Sequence, residues 1–298
     1  MRTGLACPSC IIDDLHGALR DAVSNEDLRR AIMRQALQWL GANLDFETIP
    51  SFYITRVHRL LKERAGLDTP FRELRERCNA AGKALAPSVQ AQAAALPDDL
   101  ERLRFLVRWA IAGNHLDFRT VGTGYELAPR SIEAALQEVL NEGLAIDDTP
   151  AILEIVRHRP RVLYLADNVG EVALDALLIA ELQRHGCQVT VAVKGGPITS
   201  DATPADARAV GLDRQAPVIL SGPDTLGIPI DGEMSAELKA ALKAAELTIA
   251  KGQANYYALS ELAPGLPGHA ACLLRTKCAL AAGALGLPVP RANVAKLL

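Results

Sequence analysis

The sequence predicts an α/β protein whose first half is helical and whose second half is a parallel sheet wrapped by helices. No convincing strand signal occurs before residue 160. After it, short continuous apolar runs alternate with helical segments, as strands buried on both faces and joined by crossover helices do. Aromatic residues make up only 4% of the 298 residues while Ala and Leu abound, which favours packed helices. The expected division is a helical domain at 1–155 and an α/β domain at 156–298 that carries the site.

In chain order, Ser24-Asn25-Glu26-Asp27 reads as a capping box, with Ser24 accepting an amide ahead of the stripe Leu28, Ile32, Ala36, Leu40, and Gly41 as the stop. A second helix is expected over about 52–63 and a third after Thr69-Pro70. The fourth follows Leu96-Pro97-Asp98-Asp99 and runs to about Ala112, where Gly113-Asn114 ends it. Strand runs then stand at 162–166, 189–193, 218–220 and 247–250. The first leads through Asp167-Asn168-Val169-Gly170 into a long helix over about 171–184. Parallel strands with right-handed crossovers follow.

Ligands of such sheets bind beyond the carboxyl ends of the strands, so those residues are the candidates. Asp167 and Asn168 offer a carboxylate and an amide carbonyl side by side, and Asp201 stands in the loop after the second strand. Three such hard oxygens suit Mg²⁺ or Mn²⁺, with Co²⁺ or Ni²⁺ as borderline choices. The competing reading makes Asp167 and Asp201 helix caps. Glu171 falls in the first turn of the next helix, where it either orients a water or suits the dipole, and Asp175 lies one turn further. Ser221 and Gly222 end the third strand, small enough for a ligand to approach backbone amides, although a plain turn would use the same residues. The fourth strand ends in Lys251-Gly252-Gln253-Ala254-Asn255. A lysine at a buried strand end is costly unless an anion meets it, so Lys251 and Asn255 are expected to hold a phosphate. Gly113-Asn114-His115-Leu116-Asp117 puts polar groups at the end of an apolar helix, making Asn114 and Asp117 further candidates for substrate contact.

The net charge of −3 provides no broad positive field, so no nucleic-acid partner is expected. Residues 1–10 lack a basic segment followed by an apolar one, and no apolar run reaches about 18 residues, so a cytoplasmic protein with no membrane partner is expected. Six cysteines in a chain this long are no disulfide framework. Cys7-Pro8-Ser9-Cys10 has a spacing suited to zinc or to reversible oxidation, and Cys272 and Cys278 would complete a four-sulfur site if the termini met.

The ordered motifs Gly113-Asn114-His115-Leu116-Asp117, Asp167-Asn168-Val169-Gly170-Glu171, Ser200-Asp201-Ala202-Thr203, Lys251-Gly252-Gln253-Ala254-Asn255 and Leu273-Leu274-Arg275-Thr276-Lys277-Cys278 resemble those of a known family. It is the metal-dependent damage-control phosphatases of ARMT type, once catalogued as domain of unknown function 89, and Cys7-Pro8-Ser9-Cys10 resembles its compact microbial branch. The resemblance implies a helical domain joined to a Rossmann-like three-layer α/β/α domain and a divalent metal held by Asp167, Asn168 and Asp201. It also implies a phosphate contact from Lys251 and hydrolysis of sugar phosphates or related damaged phosphometabolites.

The mechanism expected from these residues has Lys251 stabilising the phosphoryl group opposite the metal and Glu171 taking a proton from the attacking water. Alternatively, Asp167 or Asp201 attacks directly. Two rival readings are an S-adenosylmethionine-dependent carboxyl methyltransferase, against which no glycine-rich cofactor loop follows the strand, and a noncatalytic phosphometabolite-binding protein.

Overall fold

Seven strands form one sheet in the computed structural model, which describes residues 1–116, 129–230 and 232–298. They are β1 (Ile146–Asp147), β2 (Arg161–Leu165), β3 (Gln188–Val193), β4 (Val218–Leu220), β5 (Leu247–Lys251), β6 (His269–Arg275) and β7 (Asn293–Leu297), in the spatial order β1-β7-β6-β5-β2-β3-β4. The five strands from β6 to β4 are parallel, and β7 runs antiparallel to β6. Parallel strands covered on both sides bury both sets of alternating side chains. Accordingly Val162, Tyr164, Val191 and Ile249 join one core, while Leu163, Leu165, Ala192 and Ala250 join the other.

The first face is covered by α4 (Arg72–Ala94), α5 (Asp99–Ala112), α6 (Pro129–Glu142), α7 (Thr149–Arg157), α8 (Val172–Arg184) and α9 (Pro204–Val210). Its core runs through residue 155 without a break, since Leu103, Leu106 and Ile111 of α5 share it with Leu174, Leu178 and Leu182 of α8. The second face carries α10 (Ala236–Ala244) and α11 (Gly252–Leu262). A third core belongs to α1 (Cys7–Ala22), α2 (Glu26–Asn43) and α3 (Pro50–Ala65), built around Leu15, Ile32, Tyr53 and Val57. Val169, in the loop after β2, reaches into that core and ties this helical cap to the sheet. The short α12 (Ala279–Ala284) follows β6.

Several local expectations change. Asn25, not Ser24, caps α2, its side-chain oxygen accepting the Leu28 amide at 2.9 Å. The helix passes Gly41 and ends at Asn43, because a mid-helix glycine costs only about 1 kcal/mol against alanine. The capping box sits instead at Thr203 and Asp206, opening α9. β1, β6 and β7 add three strands to the four apolar runs. β6 escapes a reading by β-propensity because His-Ala-Ala-Cys-Leu-Leu-Arg holds no β-branched residue, and β1 is two residues long. Among the described residues, no helix is long and apolar enough to cross a membrane.

Candidate active site

The loops after β2 and β3 are laced together by their backbones. Val169 N donates to Ser200 O and Ala202 N to Asp167 O, both at 2.8 Å, and Asn168 pairs with Asp201 as an isolated antiparallel bridge. Gly170 turns the chain at φ +77° into α8. Gly252, at φ +76°, lies directly under the Asp167 carboxylate, where a Cβ would stand 1.7 Å from Oδ2.

Around this seam lie four carboxylates and two lysines, all nearly solvent-free. Asp167, 4% exposed, accepts from Asn168 Nδ2 at 2.8 Å. Burial, then the Glu171 and Asp201 charges, hold its carboxyl well above the usual range, against the opposing cations of Lys194 and Lys277. Both Asp201 oxygens receive donors, Oδ1 from Gly227 N at 2.9 Å and Oδ2 from Thr199 Oγ1 at 2.8 Å, and Lys194 Nζ stands 3.3 Å from Oδ1. Neither aspartate caps a helix: the N-cap position is Glu171 in α8 and Thr203 in α9.

Glu171 is fully buried and accepts from Asn168 N (3.3 Å), Asn114 Nδ2 (3.2 Å) and Lys251 Nζ (3.2 Å). Lys251 Nζ also lies 3.1 Å from Asp175 Oδ1, which accepts a hydrogen bond from the Tyr164 hydroxyl at 2.7 Å. Burial pushes Asp175 up to about 6 despite that ammonium. Burial also opposes the Lys251 charge, but Asp175 and Glu171 outweigh it and hold Lys251 protonated. The anion required at the buried lysine is therefore supplied by two carboxylates of the chain.

A cavity of about 200 Å³ opens in front of Asp167 and Asn168, with Ser200 and Lys277 on its polar side and Ile11, Ile54, Leu226 and Tyr257 among its apolar walls. Several candidates stand outside its lining, and the contacts of each are as follows. Lys251 and Glu171 neutralise and position from behind. Asn114 holds Glu171, and Asn255 Nδ2 donates to Lys251 O (2.7 Å) and Ala166 O (3.1 Å), stitching α11 to the end of β2. Ser221 N donates to Val193 O at 2.8 Å and Gly222 O accepts from Gly195 N at 3.0 Å, so these two close the loops after β3 and β4. Asp117 lies outside the described residues.

Three contributors have no role assigned to them from the sequence, although Lys277 stands in one of its motifs. Arg75 of α4 donates to Thr199 O (2.6 Å) and Asp201 O (2.8 Å) and pairs with Asp206. Asn79, one turn on, donates to Asp206 Oδ1 and accepts from Gly170 N, each at 2.9 Å. Polar residues four apart on the face of α4 that also buries Cys78 and Gly82 were the available signal. Lys277 is the third, a cation on the cavity wall near Asp167.

The donor set fits a divalent cation. Asp167, Glu171, Asp175 and Asp201 face Lys194 and Lys251 in a volume where none of the six is more than 4% exposed, an excess of two negative charges that the half-buried Lys277 beside Asp167, protonation or a dication must balance. A second cluster, Asp99, Glu181 and His185, brings its ligand atoms within 4.8 Å of one another at the far end of α8. Arg184 already supplies its cation, bonding Glu181 at 2.7 Å and Asp99 at 2.5 Å. The four-sulfur expectation is corrected: Cys272 is buried in β6 within the second-face core, whereas Cys7, Cys10 and Cys278 line the cavity.

Fold and site together define a class, a three-layer α/β protein with a buried carboxylate, amide and lysine cluster at its strand edge under a helical cap. Residues 3–291 match the family model of the damage-control phosphatase ARMT1-like domain. The chain is 32% identical over 290 residues to a damage-control phosphatase of Archaeoglobus fulgidus, covering 97% of each. It is 30% identical over 289 residues to a damage-control phosphatase of Pyrococcus horikoshii, covering 97% of this chain and 96% of that one. The crystal structure of a DUF89 family protein from Pyrococcus horikoshii superimposes with a TM-score of 0.86 at 29% identity, covering 99% of this chain and 98% of that one. The chain belongs to the damage-control phosphatase ARMT1-like family, and phosphatase chemistry is the activity of that class.

Proposed function

We propose that the protein is a divalent-metal-dependent phosphatase that hydrolyses phosphate monoesters of small metabolites, sugar phosphates or damaged phosphometabolites. The observation that carries the reading is the excess of negative charge in a buried cluster that presents Asp167 and Asn168 to the cavity, with Lys277 also on its wall. Asp167 and Asn168 would hold the cation from the cavity and Asp201 from behind, since a carboxylate has about four acceptor sites and donors take up only part of them here. When bound, Mg²⁺, Mn²⁺, Co²⁺ or Ni²⁺ supplies Lewis-acid polarisation of the phosphoryl group and lowers the pKa of water.

The chain's own residues divide the remaining work. Lys277, on the cavity wall near Asp167, neutralises phosphate charge. Asp167 lines the cavity and the other three carboxylates of the cluster do not, while Asp14, also on the wall, is engaged by His58 at 2.6 Å, so proton acceptance from water, or direct attack on phosphorus, falls to Asp167. Glu171 holds the Asn168 amide and the Lys251 ammonium, which makes it a positioning residue. Ile11, Ile54 and Leu226 enclose the ester's organic part and limit water.

The test is phosphate release from a panel of sugar phosphates and phosphorylated cofactors with each of the four metals, on the wild type, Asp167→Ala and Asp201→Ala. Metal-dependent release that falls by roughly a hundredfold or more in Asp167→Ala is expected. Release that survives both substitutions would falsify the assignment.

A further inference from the structure

One face of α1 forms much of the cap's share of the cavity wall: Cys7, Cys10, Ile11 and Asp14 recur at the three- and four-residue spacing of a single helical stripe. Asp14 is the charged member of that stripe, and Ile11, one turn before it, and Ile54 of α3 offer it only hydrocarbon. His58 stands one turn beyond Ile54 in α3, fully buried, with Nε2 2.6 Å from Asp14 Oδ2. The other ring nitrogen, Nδ1, has no hydrogen-bond partner among the described residues, so a proton there would be buried unpaired. The ring proton therefore belongs on Nε2, where it is donated to Asp14 and holds the carboxylate in place. Neither residue has a part in the phosphoryl chemistry at Asp167. A carboxylate fixed on an otherwise apolar stretch of wall is costly unless a bound molecule meets it. The phosphate end of an ester is drawn to the sheet side of the cavity, where Asp167, Asn168 and Lys277 stand, which leaves the organic end to the cap.

We propose that Asp14, held by His58, is a specificity-determining residue: it accepts hydrogen bonds from hydroxyl groups on the organic part of the ester and repels a second anionic group there. The substrate class narrows to small polyol or sugar monophosphates, against bisphosphates and phosphorylated carboxylic acids. A carboxylate has about four acceptor sites, and the His58 N–H occupies only part of them. Discrimination comes from repulsion of the wrong tail as much as from attraction of the right one. The cavity, at about 200 Å³, is smaller than the roughly 300–1,000 Å³ that drug-sized ligands occupy, so the organic part that reaches Asp14 is short. The inference rests on the phosphatase reading, and its failure is distinguishable from the failure of that reading.

Glycerol 3-phosphate and 3-phosphoglycerate are the probes, matched in size and differing in a hydroxymethyl group against a carboxylate. Each is measured as a competitive inhibitor of p-nitrophenyl phosphate hydrolysis by the full chain in Mn²⁺, so neither has to be turned over. The ratio of the two inhibition constants, taken on one preparation, does not depend on how much of it is folded. The wild type should bind glycerol 3-phosphate more tightly. In Asp14→Asn and Asp14→Ser, both uncharged and no larger, the ratio should move toward 3-phosphoglycerate by roughly tenfold. His58→Gln, whose amide brings an N–H near the place of Nε2, should keep the wild-type ratio, whereas His58→Phe should lose part of it. Equal ratios in the two His58 variants overturn the positioning role of His58. An unmoved ratio in both Asp14 variants overturns the proposal, as does failure of both to fold or to hydrolyse, which would make Asp14 a structural or a reacting group. Absence of metal-dependent hydrolysis by the wild type sinks the phosphatase reading and the proposal with it, whereas hydrolysis with an unmoved ratio sinks the proposal alone.

Discussion

Two lysines near the strand edge face different energetic situations. Lys251 is 1% exposed and saturated by Glu171 and Asp175, so truncating it strands two buried carboxylates. Breaking a buried pair from one side costs about 3–5 kcal/mol, and Lys251→Met should lose that much in urea denaturation. Lys277 is only half-buried on the cavity wall, and Lys277→Met should lower phosphate release roughly a hundredfold while stability changes by under about 1 kcal/mol. Equal stability losses in the two variants would contradict this division of labour. Asp175 offers a pH signature. Its folded pKa of about 6 lies above the ordinary 3.8, so the folded state holds this proton more tightly than the unfolded chain. The stability it contributes is therefore greatest below about 3.8 and declines as pH rises to about 6, by roughly 3 kcal/mol. In metal-free protein, the wild-type stability minus that of Asp175→Asn should fall across that window, and a flat difference would rule the carboxyl out as the titrating group.

Glycines set how closely α4 approaches the site loop. A Cβ on Gly82 would lie 2.1 Å from Gly170 O, a backbone atom that cannot swing aside. Gly82→Ala should push α4 away from α8, dragging Arg75 and Asn79 from the seam. The overpacking cost of about 1–3 kcal/mol outweighs the roughly 1 kcal/mol of helix propensity that alanine adds. Gly41→Ala is the matched control: in α2 it meets nothing within 4 Å, so propensity alone acts and stability should rise by about 0.5–1 kcal/mol. Thermal melts of the pair check both signs. Elements also explain what the sequence disclosed. Apolar runs with β-branched residues announced β2, β3 and β5, and the rule that ligands sit at carboxyl strand ends drew attention to Asp167, Asn168 and Asp201. Which of these faces the cavity depended on Thr199 and Gly227 engaging the Asp201 oxygens, contacts set by two other loops. Lys251 was singled out for a sound reason, the cost of a buried ammonium, but its partner Asp175 came from α8, across the sheet layer, where no spacing pattern could reveal it.

At the scale of the whole molecule, the site lies where the helical cap meets the sheet, and its charge couples to both. Val169 joins the cap core beside the site loop. Arg59 of α3 makes a bidentate pair with Glu233 at 2.9 and 2.8 Å, and Lys62 donates to Pro197 O at 2.8 Å, fixing the cap over the loops after β3 and β4. Ile11 and Ile54 of the cap and Asp167 of the sheet line one cavity. Electrostatics in that cavity should therefore be felt in global unfolding. Without a cation, Asp167 is held unfavourably by burial and by Glu171 and Asp201, so Asp167→Asn removes a repulsion and should melt at or above the wild type in chelator. With a divalent cation the order should reverse, because a ligand at a hundredfold excess over its Kd stabilises the binding form by about 2.7 kcal/mol and the variant has lost a ligand oxygen charge. Melting curves of both proteins in chelator and in Mn²⁺ should therefore cross. If Mn²⁺ raises the two Tm values equally, the cation binds elsewhere and the excess charge at the strand edge is balanced by protons and Lys277 alone.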